Sequence, residues 1–499
     1  MFFLGIDVSI SRVEAVALDS KTGKAHTASE EFTPLANILR NKPVQPRAAW
    51  EKVVAVVGKL LREQRIKGDD IVGIAVTSTE DAWVPVGENL EPLHPIINIQ
   101  LSPFDSLSNH DNDLFKINGR GERILSGVNN LEWFRRSEPE AYSRMFKWLG
   151  LAEYIGAKLT GAVATDAAAA AHYGMLDIKE RKWSELLMAR FGVKQEHLPE
   201  IAPPGEVMGR LTRRAAAEIR LKQDTPVIVA SSGPACAAVA CNLAHCSCLN
   251  VMAENELLLT RLSADQAFTV NPADGYSLEP HIGGSDYLAI GMLPFVVPTY
   301  LWVIENFFPN LAGRPLGEAL ASLQSKVDLI PPGSDGLLFL PHLVGSGTPK
   351  ADPHSRGVIV GLRPDHTRWH IYRAALEGVA YELRANLQTI AKATGREITT
   401  ISAQGWGAEN RVAVQIKSDA TGIPFAVNSV NNGSACGAAL LAAKGLGHAE
   451  VAELYRVQAS RTGAVYSPNV ERKGRYSMMY TRVYSDLYNS LEEVFPKLS

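Results

Sequence analysis

Two short apolar hairpins open the two halves of the chain. Phe2–Val8 and Val13–Leu18 flank one small polar tip, and Cys248–Met252 and Leu257–Leu262 flank a second at Ala253–Glu256. Apolar runs of this length, bounded by small or polar residues, read as β-hairpins. Later strands alternate with helical patterns in both halves, which points to α/β architecture. A length of 499 residues exceeds one compact domain, and the repeated opening suggests how it divides.

Several elements are legible between the hairpins. Trp50, Val53, Val54, Val57, Leu60 and Leu61 recur at helical spacing, with Glu51, Lys59 and Arg62 on other faces. Ile71–Val76 and Pro226–Ala230 read as buried strands, the second followed by an Ala-rich helix from about Pro234 to Ala244. Tyr476, Met479, Val483, Leu487, Leu491 and Val494 predict one apolar stripe on a terminal helix.

Lys+Arg 50 against Asp+Glu 53 gives a net charge of −3, so nothing in the balance argues for a nucleic-acid partner. No apolar run reaches the ~18 residues of a membrane span. The start lacks a basic n-region and soon meets Asp7, unlike a signal peptide. Five cysteines in so long a chain are no disulfide framework, and the expected location is the cytoplasm.

The most specific stretch runs Gly336-Leu337-Leu338-Phe339-Leu340-Pro341-His342-Leu343, Gly345-Ser346-Gly347-Thr348-Pro349, then Asp352-Pro353-His354-Ser355-Arg356-Gly357 and Gly361-Leu362. Arg373–Tyr381, Gly405-Trp406-Gly407-Ala408, Gln415, Asp419–Gly422 and Gly437–Ala443 follow in order. This ordered series resembles the FGGY carbohydrate kinases, the family of xylulose, ribulose and glycerol kinases. Leu4-Gly5-Ile6-Asp7 with Ser9 and Ser11 is similar to the family's first phosphate hairpin. Trp133 with Pro139-Glu140, and Leu149–Thr160, are similar to its middle helices.

The resemblance implies two ribonuclease-H-like domains of the actin and hexokinase type around a cleft, where sugar and Mg-ATP meet. It places a sugar-side domain at 1–247 and a nucleotide-side domain at 248–499, with a terminal helix, 468–496, that packs back on the first domain as one option. Nucleotide contacts are implied at Asp7, Ser9, Ser11, Glu254, Asn255, Gly405, Trp406, Gly407 and Ala408, and sugar contacts at Thr79, Glu80, Asp81, Gln100 and Asp105. Asp7 is the implied Mg²⁺ holder, acting through water. Its plainer reading is a strand-end carboxylate that caps a turn.

Phosphoryl transfer needs a proton acceptor for the attacking hydroxyl, charge neutralisation and backbone donors around the phosphates. In just these parts the chain departs from the family pattern. Ser231-Ser232-Gly233-Pro234 stands where the resemblance implies Gly-Gly-Asp, which puts Pro234 at the catalytic base. Proline accepts no proton. Ala253-Glu254-Asn255 replaces Gly-Thr-Ser, and a glutamate there repels a γ-phosphate. Ile10 brings a β-branched side chain to the first tip. Ile99-Gln100-Leu101-Ser102-Pro103 lacks the aromatic, carboxylate and guanidinium of the family's sugar segment.

The first expectation is therefore a degenerate kinase, or pseudokinase, acting as a ligand sensor or scaffold for a sugar, a sugar phosphate or a protein partner. The alternatives are an active ATP-dependent kinase of a pentulose, hexulose or polyol with a relocated base at Glu80 or Asp81, or another reaction on the same fold. The family offers both monomers and homodimers. Cys236, Cys241, Cys246 and Cys248, with His245 among them, lack the spacing of a zinc knuckle and read as small buried side chains.

Overall fold

The computed structural model describes residues 1–31, 42–78, 81–98, 112–120, 126–243, 248–252, 256–427, 432–460 and 463–498. Its first compact unit comprises Met1–Asn242, Leu278–Leu288 and Asn432–Arg461, and its second Leu243–Ser277, Ala289–Asn431 and Thr462–Ser499.

The first unit is built on β1 (Phe2–Val8), β2 (Arg12–Asp19), β3 (Ala25–Glu31), β4 (Ile71–Thr77), β5 (Val207–Arg210) and β6 (Pro226–Ile228), in the order β5-β6-β4-β1-β2-β3. β1 and β2 pair antiparallel, while β4 runs parallel to β1 and β6 parallel to β4. β1 is buried along most of its length, so it reads as a nearly continuous apolar run, not an alternating one. The helix seen in the sequence is α1 (Pro46–Glu63); it buries Trp50, Val53, Val57 and Leu60, with Val54 and Leu61 at the margin of the same core. Two shorter helices matter for the site: α2 (Ala167–Ala171) and α3 (Gly233–Ala240).

The second unit repeats the plan. β7 (Cys248–Met252), β8 (Glu256–Leu262), β9 (Ser277–Pro280), β10 (Tyr287–Leu293), β11 (Ile401–Gln404), β12 (Phe425–Val427) and β13 (Ala464–Tyr466) follow the order β9-β10-β8-β7-β11-β12-β13, with Leu278–Pro280 of β9 and Tyr287–Leu288 of β10 grouped in the first unit. The antiparallel hairpin β7–β8 is again flanked by a parallel strand, β11, and that by another, β12. The echo between the two hairpins thus marks a shared strand order, 3-2-1-4-5 in each core. α4 (Arg368–Thr394) and α5 (Arg411–Thr421) pack together in this unit.

α6 (Gly433–Gly445) departs from the expected division at 247/248, because it packs on β1, β4 and α3 of the first unit. The contact demands glycine: a Cβ on Gly437 would stand 1.9 Å from the Cys236 carbonyl oxygen, and one on Gly5 1.9 Å from that of Ala435. Cys236 is buried in α3 and Cys248 in β7, as expected, whereas Cys241, the residue after α3, is only half-buried. Cys246 and His245 lie outside the described residues.

The terminal helix groups with the second unit. Its α7 (Val470–Met479) packs on α5 in the second. The expected stripe also slips. A π-turn over Tyr480–Tyr484 inserts extra backbone before the helix resumes at Ser485, so Tyr480 and Tyr484 turn inward while Val483 and Val494 face out. Among the described residues no helix is long and apolar enough to cross a membrane.

Candidate active site

The carboxyl ends of β4 and β6 meet the start of α3 in the first unit. Thr77 Oγ1 donates to the Ser231 carbonyl at 2.7 Å, and the Gly233 N–H donates to the Ser78 carbonyl at 2.8 Å. Ser232 caps α3, its Oγ accepting from the Ala235 N–H at 3.1 Å. Pro234 therefore lies in the first turn, where its missing N–H is no loss. Residue 234 itself brings no proton acceptor to the site.

A carboxylate reaches this turn from elsewhere. Glu279 Oε1 accepts from Ser232 Oγ at 2.6 Å. Glu279 belongs to the segment Leu278–Leu288, which is tied to the first unit by the Leu278 N–H on the Gly119 carbonyl at 2.7 Å and by Arg181 on the Gly284 carbonyl. The other Glu279 oxygen, Oε2, lies 2.9 Å from His172 Nε2, and His172 Nδ1 lies 2.5 Å from Asp81 Oδ1. The Arg120 guanidinium stands 3.8 Å from Asp81 Oδ2. Four charges alternate along this chain: Arg120, Asp81, His172 and Glu279.

Burial and Arg120 work against a charged His172, but Asp81 and Glu279 outweigh them and push its pKa up to about 9. At neutral pH both ring nitrogens therefore donate. A parallel pair lies beside the chain. Ser231 Oγ donates to Asp166 Oδ2 at 2.6 Å, and Asp166 caps α2 by accepting from the Ala169 N–H at 2.9 Å. Burial drives Asp166 up to about 7, against the hydrogen bonds that favour its charged form.

Asp81, Asp166, His172, Ser231 and Ser232, together with Glu153, line a cavity of about 60 Å³. That is room for several waters or for one end of a hydroxylated ligand.

Raised pKa values make this site a liability at high pH. The stability that neutral Asp166 contributes is complete below the ordinary carboxylate range and is lost as pH rises through about 7. That of charged His172 is complete below its ordinary value of 6.5 and is lost through about 9. The expected result is a thermal midpoint that falls as pH rises from about 5 to about 9. Asp166→Asn should flatten the part below pH ~7, by at most about 4 kcal/mol at roughly 1.4 kcal/mol per pKa unit. A D166N protein with the wild-type profile across that range would count against the assignment.

Of the residues singled out in the sequence, Asp81 is brought into the chain that ends at Ser232, two positions before Pro234. Thr79, Glu80, Gln100, Asp105, Glu254 and Asn255 lie outside the described residues. Asp7 sits half-buried near the end of β1, a hard oxygen donor of the kind that holds Mg²⁺ through water. Ser9 and Ser11 are spent on the hairpin turn. Ser9 Oγ accepts from the Ser11 and Arg12 N–H groups at 3.2 and 3.0 Å and lies 3.0 Å from Ser11 Oγ.

In the second unit, Gly405 has a φ of 93° at the end of β11, and its Cα approaches the Met252 backbone so closely that a Cβ would meet the carbonyl oxygen at 2.5 Å. Trp406, Gly407 and Ala408 form a short 3₁₀ turn after it, Ala408 buried. Backbone held this close to a strand end suits a phosphate or purine that needs near approach.

Sequence reading missed Arg120, Asp166, His172, Ser231, Ser232 and Glu279. Only Asp166 left a local signal, an N-cap residue before five alanines. His172 is 91 positions from Asp81 and 107 from Glu279.

The fold has counterparts among known proteins. The N-terminal domain model of the FGGY family of carbohydrate kinases matches residues 2–240, and the C-terminal domain model matches residues 270–446. A xylulose kinase of Bacillus subtilis (strain 168) is 24% identical over 99% of this chain and 98% of its own. The crystal structure of a ligand-bound xylulose kinase from Lactobacillus acidophilus superimposes with a TM-score of 0.84 at 23% identity, covering all of both chains. That of a gluconate kinase from the same organism gives 0.83 at 22% identity, covering 100% of this chain and 99% of the other. With both domain models matched in order along the same chain, this protein belongs to the FGGY family of carbohydrate kinases.

Proposed function

We propose that the chain transfers the γ-phosphoryl group of ATP to a hydroxyl of a sugar, a polyol or a sugar acid, without a base at residue 234. The observation that carries this reading is the Glu279 carboxylate held 2.6 Å from Ser232 Oγ, at the first turn of α3. Phosphoryl transfer depends mainly on positioning and electrostatics, so one displaced carboxylate does not abolish it. Xylulose and gluconate kinases of the same fold make ketoses and sugar acids the first acceptors to try. ATP with Mg²⁺ supplies the phosphoryl group and the charge neutralisation. Asp7, near the end of β1, would hold the ion through water.

A second reading, a ligand-binding protein without phosphotransfer, is favoured by Pro234 and by the Ser9 and Ser11 hydroxyls already committed to their own turn.

The test is acceptor-dependent ADP formation by the purified protein with Mg-ATP and a panel of pentuloses, hexuloses, polyols and sugar acids. Thermal midpoints are read in parallel. ADP released with one acceptor supports the kinase. A clear stabilisation by a sugar or sugar phosphate with no ADP released would replace it with the binding reading; a ligand at 100 times its Kd adds about 2.7 kcal/mol.

A further inference from the structure

We propose that Ser232 and Glu279 together take the place of the missing base, with Ser232 passing the acceptor's proton to Glu279 and His172 positioning the carboxylate. This rests on the kinase reading above and names the groups that would perform it.

Ser232 lines the cavity, whereas Glu279 lies behind it, fully buried. A hydroxyl entering the cavity therefore meets Ser232 first. Ser232 Oγ already donates its proton toward Glu279 Oε1 at 2.6 Å and accepts from the Ala235 N–H at 3.1 Å, which leaves one oxygen lone pair for a new donor. The step balances as follows. The acceptor O–H bond breaks and its proton goes to Ser232 Oγ, while the Ser232 proton goes to Glu279 Oε1. The acceptor oxygen forms a bond to the γ-phosphorus of the nucleoside triphosphate, and the bond from that phosphorus to the nucleoside diphosphate breaks. After turnover Glu279 returns the proton to solvent through the same hydroxyl.

The surroundings fit a proton acceptor that must be held rather than merely buried. His172 fixes Oε2 at 2.9 Å and is itself fixed by Asp81 at 2.5 Å, with Arg120 beyond. Buried chains of alternating charge contribute little net stability, so stability alone does not account for this one. Perturbed groups around a cavity are also the pattern that functional sites show.

Glu279→Gln keeps the shape and an acceptor oxygen for Ser232 but takes up no proton. The expected result is a fall in kcat of about 10²- to 10⁴-fold at nearly unchanged acceptor KM. Ser232→Ala should fall comparably, and Ser232→Thr, which restores the hydroxyl, should recover much of the loss. His172→Gln should lower kcat and move the pH midpoint of the kcat profile, a readout that a merely structural role would leave in place. Thermal midpoints of all four variants separate loss of folding from loss of chemistry.

E279Q and S232A proteins that turn over within about threefold of wild type would overturn the relay while leaving the kinase reading intact. A wild-type protein that releases no ADP with any acceptor would overturn both.

Discussion

Lys417→Met is expected to destabilise the protein by about 3–5 kcal/mol, the cost of leaving a buried carboxylate without its counter-charge. Lys417 Nζ lies 2.5 Å from Glu256 Oε1, and both side chains are 1% exposed. Asn250 Nδ2 adds a second contact to the same oxygen at 3.1 Å. Glu256 opens β8, directly after the tip of the second hairpin, so the pair pins that hairpin to α5. Replacing both partners by apolar residues, as in E256L/K417M, should return stability to wild type or raise it by about 1–4 kcal/mol. Urea denaturation of the two single variants and the double variant measures this. A K417M protein within about 1 kcal/mol of wild type would show that the pair is not desolvated as described.

Glu377→Ala should produce a loss of similar size in a different part of the second unit. The Glu377 carboxylate accepts from four donors: the Gly333 N–H at 2.9 Å, Ser334 Oγ at 2.9 Å, Arg373 Nε at 2.8 Å and the Tyr476 hydroxyl at 2.9 Å. Its removal leaves the Arg373 guanidinium buried without a counter-charge, at about 3–5 kcal/mol. It also cuts one tie of α7, since Tyr476 reaches Glu377 from that helix. Tyr476→Phe removes only a hydroxyl and should cost about 1 kcal/mol. Hydrogen exchange in α7 should accelerate strongly in E377A and slightly in Y476F. Equal effects from the two variants would mean that the hydroxyl, not the carboxylate, carries the attachment.

What could be read from the sequence follows the range of the interactions involved. Hairpins, α1 and the strand before α3 were legible because their signals are local: apolar runs, turn residues and helical spacing within a few turns. The terminal stripe held at Tyr476 and Leu487 and missed Val483 and Val494, because one π-turn rephases a helix without altering its composition. The site failed for the opposite reason. Asp81 follows β4, Asp166 and His172 flank α2, and Glu279 lies on β9, so no spacing along the chain joins His172 to Glu279. Reading position 234 alone therefore gave a loss, whereas the fold delivers a carboxylate to the same turn from residue 279.

The path of the chain sets a timetable for its synthesis. The first unit needs Leu278–Leu288 for Glu279 and Asn432–Arg461 for the helix that covers β1 and α3. Domains often form in order as they leave the ribosome, yet here the face of the amino-terminal sheet opposite α1 waits for α6 until nearly the whole chain has been made. A nascent chain stalled near residue 247 would carry an unpacked face at Gly5, Gly73 and Cys236, a surface for chaperones to occupy. The same interleaving makes the gene hard to divide. A break or exchange at its midpoint separates β1 from its helix and Ser232 from its carboxylate.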